Sequence, residues 1–251
     1  MIAGMNGRVL PETYCPAAPT LWIRPGRATY IGPSFRLDPH SAAVHCVALG
    51  IDAPFELRAA DIDPQYTRSA FIPARTRHHI IATTGRMLFD YSHSREPRDQ
   101  MTVHTKSISW HHRDEAALIQ SLTTAPHALW QKGDGRLDSR VHAAMRTLNS
   151  TPDLSVTEVA ATVHLSASRF QHLFTHHTGT SFRRYRLWSR MTRVAAALSE
   201  GKNLTEAATA AGFASANHFS VSFHDMFGMT PRTLLSSGTR IVISEQDTCT
   251  A

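Results

Sequence analysis

The sequence predicts a two-domain α+β chain, with a β-barrel in the N-terminal half and an all-α domain after it. The all-α domain is two helix-turn-helix units joined by a long helix. Three observations carry this. Short apolar runs punctuated by Pro and Gly fill residues 20–103, a helix-pair pattern is written twice between Val156 and Leu235, and positive charge is concentrated around that repeat. The 251 residues are enough for one large or two ordinary domains, each able to bury a core.

In the N-terminal half the runs Ala42–Leu49, Ala70–Ile72, His79–Ala82 and Met87–Tyr91 are separated by Pro33, Pro39, Pro54, Pro64, Pro73 and Gly85. Short strands at such spacing form a sandwich or barrel. His40 and His45 flank one apolar run, and F-I-P-A-R-T-R-H-H from Phe71 to His79 resembles the P-x-G-x-x-H turn of cupins. A cupin-like barrel over residues 1–128 is therefore expected, serving ligand sensing and dimerisation. His40, His45, Glu56, His78 and His79 are its candidate ligand-binding residues. In metal-binding cupins histidines and a glutamate from these strands converge on an ion. Here Arg75 stands where Gly is usual, the H-x-H spacing is missing, and Glu56 follows His45 by eleven residues. No metal site and no cofactor are expected, and a small organic ligand in the barrel remains open.

His111 to Thr124 places Leu118, Ile119 and Leu122 on one stripe behind Asp114 and Glu115, which suits a helix. It could pack on its own barrel or pair with a second copy, giving a homodimer. The polar segment 129–136 then reads as a linker.

The all-α domain is expected over 137–238, followed by a tail at 239–251. Leu137, Val141, Met145 and Leu148 lie on one face of a helix that roofs the first repeat. The first repeat runs from Val156 to Ser181 and the second from Leu204 to Pro231. Thr157-Glu158 recurs as Thr205-Glu206 at an offset of 48, whereas Phe170, Phe174 and Gly179 recur as Phe219, Phe223 and Gly228 at 49. One extra residue therefore sits in the second turn. Each copy is a short Ala-rich helix, a turn, and a longer helix ending in Gly, as a C-cap requires. Ser155 with Glu158 three residues on makes a capping box, and Ser166 caps the next helix. That is the pattern of a DNA-binding helix-turn-helix. Helical solenoid repeats share such periods, but two copies are too few to cap a solenoid.

Burying Phe170, Leu173 and Phe174 leaves Ser168, Arg169, Gln171, His172 and Thr175 outward on the first recognition helix. Burying Phe219, Phe223 and Phe227 leaves Ala216, Asn217, Ser220, Val221 and His224 on the second. These are the candidate base-reading residues. Gln171 and Asn217 can pair with adenine, His172 with guanine or phosphate, and Val221 can touch a thymine methyl. Ser181 and Thr230 are N-cap candidates whose helix N-termini would meet phosphate, with Arg183, Arg184 and Arg186 as basic partners. For Arg190, deeper among Leu187, Met191 and Val194, an intradomain salt bridge is expected. The 19 residues of the connecting helix span roughly 28 Å, near the ~34 Å turn of DNA, so the two units can enter successive major grooves.

These residues resemble the AraC-type family of bacterial transcription regulators. Gly212-Phe213, Phe219, Phe223 and then Phe227-Gly228-Met229-Thr230-Pro231 match the family's G-F, spaced aromatics and F-G-x-[ST]-P, and Ser166 to Phe182 match its earlier landmark. The resemblance covers about 100 residues. It implies sequence-specific binding of double-stranded DNA, contact with RNA polymerase, and activation as the commoner mode. Val221, His224, Arg186 and Leu234-Leu235 depart from residues frequent in the family, which implies weaker nonspecific affinity or an altered site. The N-terminal half resembles the cupin-like sensor domains often attached to this family.

Charge and composition fit. Residues 129–238 carry 12 Lys+Arg against 7 Asp+Glu, while residues 1–128 carry 13 against 11. The excess lies where phosphate attraction needs it. No run of 18 apolar residues exists, so no membrane span is expected. The first residues lack a signal-peptide core, and Cys15, Cys46 and Cys249 are unclustered, as in a reduced cytoplasmic protein. The chain is thus expected to be a cytoplasmic regulator with no catalytic residues, responsive to a small-molecule effector. The alternatives are a cupin metalloenzyme fused to a DNA-binding module, and a ligand-independent regulator controlled by a protein partner.

Overall fold

The computed structural model of the chain describes residues 18–24, 26–93, 95–124, 137–151 and 153–243, without the side chains of 96 and 121–124. The first half is all strand up to a single helical turn. It contains β1 (Thr20–Arg24), β2 (Arg27–Pro33), β3 (His45–Gly50), β4 (Phe55–Ala59), β5 (Ile62–Thr67), β6 (Ser69–Ile72), β7 (His78–Ile81) and β8 (Arg86–Ser92). The turn α1 (Glu96–Asp99), β9 (Met101–His104), β10 (Ser109–His112) and α2 (Glu115–Thr124) follow. The second half holds α3 (Ser139–Ser150), α4 (Val156–Thr162), α5 (Ala167–Thr178), α6 (Phe182–Ser199), α7 (Leu204–Ala210), α8 (Ala216–Phe227) and α9 (Pro231–Ser236). The described chain ends in β11 (Arg240–Ile243).

The strands form an eight-stranded sheet, β11-β1-β2-β8-β3-β6-β10-β9, and a three-stranded sheet, β5-β4-β7. Isolated bridges from Arg36 to Ile81 and from His40 to His78 tie the segment after β2 to β7. β3 is buried at every position and sits between β8 and β6, which explains its continuous apolar run. In the turn before β7, Arg75 stands where the cupin motif has Gly and takes a left-handed conformation. Arg75 takes φ 68°, and its N–H donates to the Ala42 carbonyl at 2.9 Å.

Several expectations are corrected at the element ends. The helix expected over 111–124 begins at Glu115, because His111 and His112 belong to β10 and its edge, where Arg113 N–H donates to the Gln100 carbonyl. Leu118 packs in cis with Ile31, Leu49, Ile51 and Leu88 on the chain's own sheet. The expected tail supplies β11, which pairs in parallel with β1 at the sheet edge, Leu21 opposite Ile241. The linker expected at 129–136, the side chain of Leu122, Cys15 and Cys249 lie outside the described residues.

The helical half follows the repeat closely. Ser155 Oγ accepts from Glu158 N–H at 3.2 Å while the Glu158 carboxylate accepts from Ser155 N–H at 2.7 Å. Asn203 and Glu206 repeat this box in the second unit, at 3.0 and 3.2 Å. Both long helices end at a left-handed glycine, Gly179 and Gly228. Val141, Met145 and Leu148 of α3 are buried, and Phe170, Phe174, Phe182 and Tyr185 form an edge-to-face aromatic cluster. Arg190 pairs with Asp153 at 3.3 Å, the intradomain bridge expected for it. In the second unit Phe219 is buried, but Phe223 and Phe227 are only partly so, and Met226 takes the inner position.

Candidate nucleic-acid interface

Each recognition helix is held from below by its apolar face, and this determines which side chains are left for solvent. On α5, Phe170 and Phe174 are fully buried, and Ser168, Arg169, Gln171, His172 and Thr175 are all exposed. On α8, Asn217 and Val221 are exposed, with Val221 at 53%, whereas Ala216, Ser220 and His224 are half-buried. Ser220 Oγ donates back to the Ala216 carbonyl at 2.8 Å. An exposed valine on an otherwise polar stripe is the only large apolar residue that either recognition helix leaves open among the described residues. α6 holds the two units apart with 18 residues, a rise of about 27 Å.

The residues expected to meet phosphate divide into two groups. Ser181 caps α6 by accepting from Arg184 N–H, and Thr230 caps α9 by accepting from Thr233 N–H, with Pro231 at the first helical position. Arg183 is exposed. Arg184 and Arg186 are half-buried: Arg186 lies 5.9 Å over the Phe182 ring, and Arg184 is occupied elsewhere. Its Nη2 donates to the Ser41 carbonyl at 2.8 Å and to Ser41 Oγ at 3.1 Å. Burial pulls its pKa below the ordinary arginine value, and Arg75 nearby adds to this.

Arg184 is one of several contacts through which the β half grips the helical half. Asp38 N–H donates to the Gly228 carbonyl at 2.7 Å, and Ser41 N–H to the Asp225 carbonyl at 3.2 Å. His224, at the end of the α8 stripe, places Nε2 2.9 Å from Asp38 Oδ2. A Cβ on Gly228 would stand 2.4 Å from the Asp38 carbonyl oxygen, so only glycine allows this approach. Beside these polar links, Tyr91 of β8 meets Phe227 edge-on at 5.3 Å and Trp188 at 5.9 Å. An apolar cavity of about 70 Å³ lies there, with Tyr30, Phe89, Met191 and Phe223 also on its walls.

The candidate ligand residues of the β half are not all in one place. The His40 and His78 rings lie 4.3 Å apart, both buried, each Nδ1 hydrogen-bonded to a backbone carbonyl two residues before it. His45 starts β3, with Nδ1 accepting from Ala74 N–H at 2.9 Å. Burial holds His45 and His78 down to about 3. Glu56 and His79 lie on the three-stranded sheet, where the Glu56 carboxylate takes Arg58 at 2.6 Å. Among the described residues no group of three or more His, Cys, Asp or Glu side chains is placed to hold a metal ion.

Residues 159–237 match the family model described as a helix-turn-helix domain. The matched segment is an AraC-type helix-turn-helix domain. Its two units, capping boxes and G-F and F-G-x-[ST]-P landmarks agree with that family. No curated protein matches the chain. Among solved structures, ToxT from Vibrio cholerae matches with a TM-score of 0.53 at 12% identity, over 84% of this chain and 98% of that one. ToxT with an unsaturated fatty acid bound matches at 0.54 and 11%, over 87% and 98%. An AraC-type regulator from Chromobacterium violaceum is 28% identical over 38% of this chain and 88% of its own, at a TM-score of 0.36. The likeness to ToxT extends the shared fold across both halves, β first and helical second. No helix among the described residues is long and apolar enough to cross a membrane.

Proposed function

We propose that the chain is an effector-responsive transcriptional activator that reads DNA with α5 and α8. Gln171, His172, Asn217 and Val221 are its main base contacts, and Arg183 with the capped N-termini at Ser181 and Thr230 holds phosphate. The observation that carries this reading is the pair of outward stripes, exposed along α5 and at Asn217 and Val221 of α8, on helices whose other faces are fixed by phenylalanines. Ser168, Arg169, Thr175, Ala216 and Ser220 border these stripes.

In the docked arrangement Asp38 and Ser41 hold His224 and Arg184, two residues assigned here to DNA. DNA and the β half therefore compete for them. An effector that favours the undocked state turns DNA binding on, the order of events an activator needs before meeting RNA polymerase. The effector must bind the two states with different affinity for this to work. The fatty acid bound by ToxT supports a small molecule in that role. A homodimer would place two such domains on one site.

The test is selection and sequencing of genomic fragments bound by purified protein, with and without a cellular small-molecule extract. Two short conserved blocks about one helical turn apart, enriched more strongly with extract, are expected. Loss of enrichment at low salt would rule out the DNA assignment, and enrichment indifferent to extract would rule out the effector.

A further inference from the structure

A second cavity, of about 310 Å³, opens in the β half between the start of β3 and the α1–β9 segment. It falls within the size range of small-molecule pockets, whereas the 70 Å³ apolar cavity between the halves holds little more than two water volumes at ~30 Å³ each. Its walls include His45, Phe71, Arg95, Arg98, Lys106 and Ser107. Three of these six are permanent cations, and among the described residues no carboxylate pairs with Arg95, Arg98 or Lys106. The Ser107 hydroxyl donates to the Asp61 carboxylate, at 2.7 and 2.6 Å.

His45 fixes the polarity of the ligand. Its Nδ1 accepts from Ala74 N–H, so in the neutral ring the proton sits on Nε2. The ring is 3% exposed, yet that Nε2 is buried with no hydrogen-bond partner. A buried unpaired N–H is costly, by roughly 1–3 kcal/mol, and such a donor beside three cations calls for an acceptor.

We propose that this cavity binds a small oxyanion, with Arg95, Arg98 and Lys106 neutralising its charge and His45 Nε2–H, which in the empty site lies against Gly179, turning to donate to one oxygen. Carboxylate and phosphate share the required chemistry. The site deepens the effector reading above and rests on it for its regulatory meaning. The connection to the DNA-binding half is direct. A Cβ on Gly179, the C-cap of α5, would lie 2.9 Å from both Arg95 Nη2 and His45 Cε1. The end of the first recognition helix is thus pressed against two members of the site, and reorienting Arg95 toward an anion alters what α5 rests on.

The experiment uses the full chain without DNA. Inorganic phosphate and succinate are titrated at constant ionic strength, with chloride as control, following thermal unfolding and the His45 imidazole ¹⁵N resonances. Saturable stabilisation and a His45 Nε2 shift are expected with one or both probes, and the probe that saturates at lower concentration names the anion class. Affinity should fall at least tenfold in R95Q/K106Q, whose positions are exposed and whose folding is checked by its own unfolding curve. No saturable response beyond chloride, or a response unchanged in the double variant, overturns the site. DNA binding is measured separately. A site that saturates in a chain that binds no DNA leaves the oxyanion site standing and removes the regulator reading instead.

Discussion

The imidazole of His224 and the carboxylate of Asp38, 186 positions apart in sequence, meet at 2.9 Å across the boundary between the two halves. His224 lies on the stripe of α8 that faces away from Phe219, so the β half touches the face proposed to read DNA. The adjacent backbone bonds from Asp38 to Gly228 and from Ser41 to Asp225 fix the direction of approach.

Replacing Asp38 by Ala is expected to raise DNA affinity about two- to fivefold. The pair is substantially exposed, at 40% and 71% of its side chains, so its worth is no more than about 1 kcal/mol, a factor of about five. The measurement is the Kd for a selected DNA fragment at fixed salt. An unchanged Kd would mean that the docked arrangement does not compete with DNA.

The turns of the two units carry a second prediction. Gly212 adopts φ 84° and the equivalent His164 φ 55°, each leading into the same turn, Leu165 N–H donating to Ala160 and Phe213 N–H to Ala208. A non-glycine residue in this region is strained by about 1–2 kcal/mol, while glycine adds roughly 0.5–1 kcal/mol of unfolded-state entropy. His164→Gly should therefore stabilise the chain by about 0.5–1 kcal/mol, and Gly212→Ala should destabilise it. Denaturant midpoints of both variants check this. Equal losses in the two would show that His164 makes a contact worth more than the strain.

Much of the helical half was legible because its determinants are local. Ser155 with Glu158, Ser166 and the terminal glycines each act within four residues, and the 48-to-49 offset change placed the added residue in the second turn. The half-buried state of Phe223 and Phe227 was not legible, since their spacing is that of core residues and only residues of the other half, Tyr30, Phe89 and Tyr91 among them, make them walls of the boundary cavity. β11 was missed because four residues, R-I-V-I, are too short for a periodic signal, although their β-branched content pointed to a strand. The histidines of the β half were picked out by type, but their placement depends on sheet pairing. His40 and His78 met through a single bridge, and His45 was separated from them by its bond to Ala74. Arg95, Arg98 and Lys106 carried no pattern at all in sequence.

Acid should destabilise the β half. His45 and His78 sit at about 3, and burial lowers His40 as well, against an unfolded value near 6.5. Below pH 6.5 the unfolded chain binds protons that the folded chain refuses, so these groups leave stability intact above 6.5. They erode it as pH falls from 6.5 toward 3. The slope is at most about 1.4 kcal/mol per pH unit for each histidine. Urea unfolding followed between pH 7.5 and 4.5 should show this loss, reduced in His78→Gln. A flat profile would show that the buried rings are protonated in the folded state.

The division between base-reading and phosphate-binding residues gives the sharpest test of the interface. Gln171 and Asn217 are exposed on separate recognition helices, and an amide that pairs with adenine discriminates by about 1–3 kcal/mol at its own base pair. Gln171→Ala and Asn217→Ala are each expected to relax sequence preference, and at different blocks of the site, because α6 holds α5 and α8 apart. Arg183 is exposed on the first turn of α6, where it is proposed to hold phosphate rather than read a base. Arg183→Ala should weaken all sequences alike and lower the salt slope of binding by about one phosphate contact. Selection from a randomised DNA pool with each variant measures both effects. Uniform losses for all three would place Gln171 and Asn217 on the backbone and require another pair of readers on the same stripes.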